Sequence, residues 1–310
     1  MRDDAGPAIR LEGLGRRFGE IDAVSGLSFE VPRGSLHGLV GPDGAGKTTT
    51  LRMLAGVLPP TSGDAWVDGV SIVRDPEGVK PSIAYMSQRF GLYTDLTVRE
   101  NIDFYADLYG VSRSDRPARL EQLYAFSNLG RFEHRLAGQL SGGMKQKLSL
   151  CCALIHQPVI LLLDEPTFGV DPISRRDLWL ILHRMVAEGV TILVSTAYLD
   201  EAERCDHVSL LHQGRLIAQD RPEALQQSLP GTMVEVQVND SRTAVQAVSG
   251  VDGVLRAAAF GSALHVRLDD LRRRESVLHR LKDAGLDPEA DRVIMPSLED
   301  VFIERVRGEP

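Results

Sequence analysis

Between Ile9 and Phe29 apolar and polar residues alternate in short runs, the period of strands with one buried face. Gly13, Gly15 and Gly19 supply turn signals, so this stretch predicts an antiparallel layer. The next apolar run, Ser35–Val40, reads as a strand leading straight into a glycine-rich loop. After the loop, Leu51, Leu54 and Ala55 recur at helical spacing within Lys47–Val57. The pattern from Val98 to about Ile155 is mostly helical. Val159–Leu163 is short and wholly apolar, as strands covered on both faces are, Val190–Val194 reads as another buried strand, and Asp177–Ala187 between them reads as a helix. Strands and helices alternating on this scale predict a parallel α/β sheet.

A change of texture comes at Arg221–Thr232, where Pro222 and Pro230-Gly231 act as breakers. Beyond it Met233–Val238 and Leu264–Leu268 alternate like strands. One flanking helix begins at Asp240, and another runs from Leu271 to Ala284 with Gly285 as its stop. The order β-α-β-β-α-β suggests a small ferredoxin-like domain. The expected organisation is a domain over residues 8–222 with a helical part at about 98–155, a linker at 223–232, and an accessory domain at 233–310. Arg272-Arg273-Arg274 fits a solvated helix face better than a binding patch.

The length of 310 residues exceeds what one core usually holds, in keeping with a large and a small domain. Thirty-five basic against 43 acidic residues give a net charge of −8, which argues against general nucleic-acid binding. Cys151, Cys152 and Cys205 are too few and too poorly spaced for a disulfide framework, and the adjacent pair reads as packing. No stretch approaches the ~20 apolar residues of a membrane span. The opening MRDDAGPAIR has no apolar core of a secretory signal. The expectation is a cytoplasmic chain; any work at a membrane would require docking on the inner face through a separate protein.

Gly41-Pro42-Asp43-Gly44-Ala45-Gly46-Lys47-Thr48 fits G-x-x-x-x-G-K-[ST], with the strand before it and the helix after it that the motif requires. Such glycines let backbone N–H groups close around phosphate oxygens, and the helix N-terminus adds positive potential. Lys47 would reach the β- and γ-phosphates and Thr48 would ligate Mg²⁺, with Thr49 beside it. Downstream, Ile160–Pro166 has the form of a Walker B strand. Asp164 would hold the Mg²⁺ through water, and Glu165 would be the general base for the attacking water. A GTPase is the obvious competitor, but no N-K-x-D guanine-reading segment occurs.

Between these motifs lies Leu140-Ser141-Gly142-Gly143-Met144-Lys145-Gln146, in which a serine and two glycines open a helix and leave bare N–H donors beside a hydroxyl. With this segment the chain resembles the ATP-binding subunit of an ABC transporter, densely over about residues 9 to 222. The resemblance implies an ABC-type P-loop NTPase: a mixed sheet, an antiparallel β layer and a helical subdomain, followed here by the small α+β domain. It implies ATP and Mg²⁺ as ligands, a transmembrane permease subunit as partner, and a second ATPase subunit in a homo- or heterodimer. The Leu140–Gln146 segment would reach across that dimer to the partner's ATP. The same resemblance makes Gln88 the Q-loop residue that touches Mg²⁺, Phe18 the aromatic under adenine, and Asp171 the D-loop bridge between subunits. It also makes Phe90–Leu96 the permease-facing stretch. Asp43 stands where the family often has Asn, and the ending Ser297–Phe302 resembles the C-terminal extension of daunorubicin-resistance-type exporter ATPases.

One position departs from the pattern. In Ser195-Thr196-Ala197 the family has Ser-Thr-His, and that histidine would donate to the γ-phosphate. Loss of one preorganised donor typically costs about 10²–10³ in turnover. His207 is ten residues downstream. The expectation is a slow site on this chain's own P-loop; the alternative is that Thr196 or a water covers the role. A soluble ABC ATPase unconnected with transport and a low-turnover regulatory cassette are the competing functions.

Overall fold

The N-terminal alternation folds into a hairpin of β1 (Ile9–Phe18) and β2 (Ile21–Val31). Only Gly19 of the three predicted turn glycines lies at the hairpin tip. Gly13, at φ 59°, sits where the β1–β2 register slips, and Gly15 is where β1 closes on Ser62, whose hydroxyl a Cβ would overlap. These two are bulge and close-approach positions rather than turns. The chain then enters β3 (Leu36–Val40), buried along its whole length, and passes through the glycine loop into α1 (Lys47–Leu54). β4 (Ser62–Val67) and β5 (Val70–Ser71) complete an antiparallel sheet in the order β2-β1-β4-β5.

β6 (Ile83–Met86) returns to the parallel layer and is followed by three helices, α2 (Val98–Leu108), α3 (Arg116–Ser127) and α4 (Gly142–Leu154). A capping box between Thr97 and Glu100 starts α2. Cys151 and Cys152 are buried in α4 as packing residues, and burial pushes the Cys151 thiol up to about 12. β7 (Ile160–Asp164), α5 (Pro172–Ala187), β8 (Thr191–Thr196), α6 (Leu199–Ala202), β9 (His207–His212) and β10 (Arg215–Asp220) follow. The six strands order as β10-β9-β3-β8-β7-β6, parallel except for β10 at the edge. α5 starts five residues earlier than Asp177, because Asp171 caps it and Pro172 occupies the first turn, where proline loses no hydrogen bond.

One continuous core joins the two sheets. Leu11, Leu14, Leu27 and Phe29 meet Leu51 and Leu54 of α1 and Leu39, Leu162, Leu193 and Leu211 of the parallel layer. Burial of such side chains stabilises by about 1.5–3 kcal/mol each, so α1 is anchored from below while its N-terminus stays open.

The computed structural model describes residues 6–88 and 91–307, and the chain divides into the unit up to Pro222 and a second unit from Glu223. The segment expected to be a linker carries a short helix, α7 (Pro222–Gln227), because Pro222 starts a helix as readily as it breaks one. The second unit comprises β11 (Thr232–Gln237), α8 (Ser241–Val248), β12 (Val254–Phe260), β13 (Ala263–Leu268), α9 (Arg274–Asp283), β14 (Ala290–Ile294) and α10 (Leu298–Arg307). Its antiparallel order β12-β13-β11-β14 is ferredoxin-like. One sheet face packs on α8 and α9 through Val234, Val236, Leu264, Val266, Val277 and Leu281. The other face is polar: Arg267 pairs with Glu304 of α10 at 2.7 Å. Each of Arg272, Arg273 and Arg274 pairs with its own carboxylate, Asp270, Asp252 and Asp291 respectively.

Candidate functional site

Parallel strands deliver their carboxyl ends to one edge of the sheet, and there the loops of four neighbours meet. In strand order these are the glycine loop after β3, the Ser195–Thr196 end of β8, Asp164 at the end of β7, and Gln88 just beyond β6. The glycines are required by geometry. Gly44 and Gly46 adopt φ 78° and 98°, and a Cβ on Gly41 would run into the Leu211 carbonyl. Phe18, Ala23, Asp43–Thr49, Gln88 and Glu165 line a cleft of about 380 Å³ over this loop. Phe18 is 45% exposed, with the Arg16 guanidinium 4.7 Å from its ring centroid; Asp43 is exposed on the loop.

Lys47 is buried, and its ammonium has three partners for three donors: Gly41 O at 2.7 Å, Pro42 O at 3.1 Å and Glu165 Oε1 at 3.1 Å. Gln88 Nε2 donates to the other oxygen of Glu165 at 3.1 Å. Glu165 stands at φ 48°, a left-handed conformation that costs an ordinary residue roughly 1–3 kcal/mol. Ser195 holds it there. Its hydroxyl accepts from the Glu165 N–H at 3.0 Å and donates to Asp164 Oδ1 at 2.8 Å.

Asp164 is 1% exposed and faces hydroxyls: Thr48 Oγ1 donates to Oδ1 at 3.0 Å, and the Tyr85 hydroxyl lies 3.5 Å from Oδ2. Burial, followed by the charge of Asp164, pushes the Tyr85 phenol up from its ordinary range. Ser195 and Tyr85 had no role in the sequence reading. Each adjoins a motif, but only strand pairing reveals that they face Asp164.

The Leu140–Gln146 segment lies outside this cleft's lining. Ser141 caps α4 by accepting from the Met144 N–H at 3.3 Å, and Gly143 packs so tightly on Ser174 that a Cβ would overlap it. Asp171 accepts from the Ser174 N–H at 2.9 Å; that bond holds its carboxyl below the usual range. The two segments therefore adjoin within one chain. Of Phe90–Leu96, Phe90 lies outside the described residues. Tyr93 is exposed and packs edge-on against Phe104, with centroids 4.6 Å apart.

Ala197 is exposed directly after β8. Both neighbouring hydroxyls already have partners. Ser195 serves the acid pair, while Thr196 donates to Glu201 Oε2 at 2.7 Å and accepts from the Tyr198 N–H at 3.0 Å. His207 begins β9 and stacks on His37 with centroids 6.1 Å apart; it pairs with the N-terminal half of β3, away from the glycine loop.

A glycine loop at the carboxyl end of a parallel strand, with a buried acid on the strand two places away, defines a P-loop nucleotide-binding cassette. Residues 24–168 match the ABC transporter family. The chain is 43% identical over 305 residues to the probable multidrug ABC transporter ATP-binding protein YbhF of Escherichia coli, covering 97% of this chain and 52% of that one, so it spans about half of that relative. It is 34% identical over 304 residues to the daunorubicin resistance ATP-binding protein DrrA2 of Streptomyces coeruleorubidus, covering 96% of this chain and 94% of the relative. A solved ATP-binding subunit of an ABC transporter superposes with a TM-score of 0.64 at 31% identity, over 71% of this chain and 92% of the other. The chain belongs to the ABC transporter ATP-binding proteins. Among the described residues no helix is long and apolar enough to cross a membrane.

Proposed function

We propose that this chain is the ATP-binding and ATP-hydrolysing subunit that powers transport, in the direction of export, through a separate transmembrane subunit. The observation that carries this reading is the convergence of Lys47, Thr48, Gln88, Asp164 and Glu165 at adjoining strand ends. Its setting is a family whose relatives are named for multidrug and daunorubicin resistance. In this reading Gly41–Thr49 close backbone N–H groups on the phosphates, α1 adds its positive end, and Phe18 stacks on adenine. Phosphate oxygens compete with Glu165 for the Lys47 ammonium. The carboxylate so released is the group left to orient water and take its proton.

A buried carboxylate surrounded by hydroxyls, with no cationic side chain in ion-pair reach among the described residues, suits a hard cation. The Mg²⁺ that accompanies ATP would be held by Thr48, Gln88 and, through water, Asp164, and supplies neutralisation of phosphate charge. Leu140–Gln146 of one subunit would complete the site of another, with Asp171 between them; this makes ATP the bond of the dimer.

Because Ser195 and Thr196 are committed elsewhere, Ala197 leaves the γ-phosphate one donor short, and the site on this P-loop is slow. Its Leu140–Gln146 surface can still serve a histidine-bearing partner, which favours a heterodimer. The experiment is steady-state MgATP turnover of the wild type beside Ala197→His and Glu165→Gln. A rise of roughly 10² with histidine and loss of turnover with glutamine support the reading. Brisk wild-type turnover that histidine does not improve refutes the slow-site assignment.

A further inference from the structure

The geometry points to Glu201 and Arg175 as positioning residues that transmit contact at Asp171 to the acid pair; this rests on the ATPase reading above. The short helix α6 returns Glu201 beneath β8, where it is 1% exposed. Its Oε2 accepts from two buried hydroxyls, Thr196 Oγ1 at 2.7 Å and Thr167 Oγ1 at 2.9 Å. Its Oε1 lies 3.4 Å from Nε of Arg175, whose guanidinium covers the Tyr198 ring at 4.6 Å.

Three segments thus share one carboxylate: the loop that leaves the acid pair, the end of β8, and the first turns of α5. Stability alone is a poor reason for such an arrangement, since well-packed apolar groups commonly serve as well as a buried ion pair. What the carboxylate does supply is a connection between loops, hydrogen-bonded at Thr167 and Thr196 and held at Arg175 by charge alone. Arg175 lies one turn beyond the Asp171 cap of α5. Movement of that helix end, when a second subunit docks against Asp171, draws on Glu201 and so on Thr196. Thr196 is bonded in sequence to Ser195, whose hydroxyl holds both Asp164 and Glu165.

The test is MgATP turnover of the full chain, as a function of ATP concentration, for wild type, Glu201→Gln, Arg175→Met and the double variant. Glutamine keeps an acceptor for both threonines and carries no charge, so Glu201→Gln and the double variant should melt close to the wild type, whereas Arg175→Met leaves a buried carboxylate unpaired and should melt lower. The expected result is a fall in kcat of about tenfold in each single variant, with KM for ATP within about twofold. The double variant should fall no further than the weaker single one, because both act through one connection. Unchanged kcat, losses that multiply in the double variant, or a loss in Glu201→Gln that merely follows a lowered melting temperature overturn the coupling. A wild type that binds no MgATP and shows no turnover overturns instead the ATPase reading beneath it.

Discussion

Ser195→Ala removes the one hydroxyl that ties the two acids together. In the wild type this group is fully buried, donates to Asp164 at 2.8 Å and accepts from the Glu165 N–H at 3.0 Å. The substitution leaves Asp164 its bond from Thr48, so that carboxylate is weakened but still satisfied. The Glu165 N–H is left without its acceptor, and an orphaned buried donor costs about 1–3 kcal/mol. Taking the middle of that range, the first unit should lose about 2 kcal/mol, a fall of roughly 4–8 °C in Tm for a unit of this size. Turnover should fall further than stability implies, because Glu165 at φ 48° then has one fewer bond resisting a return to an ordinary backbone conformation. Thermal melting and MgATP turnover of Ser195→Ala and Ser195→Thr give the assay: threonine keeps the hydroxyl and should recover most of the turnover. Alanine that melts and turns over as the wild type does would refute the bridge.

Two other positions yield independent tests. His37 is buried between Phe29 and His207 with Ser209 Oγ at 2.9 Å, and burial, then the charge of His207, holds its pKa down to about 3. The folded value lies below the unfolded one, so its stability contribution is present above about pH 6.5 and is lost as pH falls toward 3. About 2 kcal/mol should disappear between pH 7 and pH 5. Urea unfolding of His37→Gln should show that much less acid sensitivity, and an identical pH dependence would refute the assignment. Gly143→Ala places a Cβ on Ser174 and should spread α4 from α5, lowering turnover about tenfold or more; adding Ser174→Gly should restore part of it, and no restoration would refute the packing argument.

The glycine loop, the Asp164-Glu165 pair, the Leu140–Gln146 segment and the missing histidine at Ala197 were all legible in the sequence. The first two are contiguous runs whose chemistry follows from residue type and spacing, whereas the role of Leu140–Gln146 and the absence of a histidine at Ala197 are what the family resemblance implies. The order of strands and helices was legible for the same local reason, since burial on one or two faces leaves its period in the chain. Less local features were misread: Gly13 and Gly15 as turns, and Pro222 as a break rather than a helix start. Their roles depend on a neighbouring strand and on the following turn, not on their own identity.

What folding alone decided is which distant residues share a boundary. Parallel pairing at Val40–Thr196 and Asp164–Ser195 sets the end of β8 between the phosphate loop and the acids, across sequence separations that no periodicity encodes. Only there does Ser195 link the Asp164 carboxylate to the Glu165 backbone, Thr196 bond to Glu201, and Glu201 become a buried joint. A side chain's type determines which bonds it can make, and the sequence shows that. Which partners it meets depends on strand order and register, and those follow from the packing of the whole core.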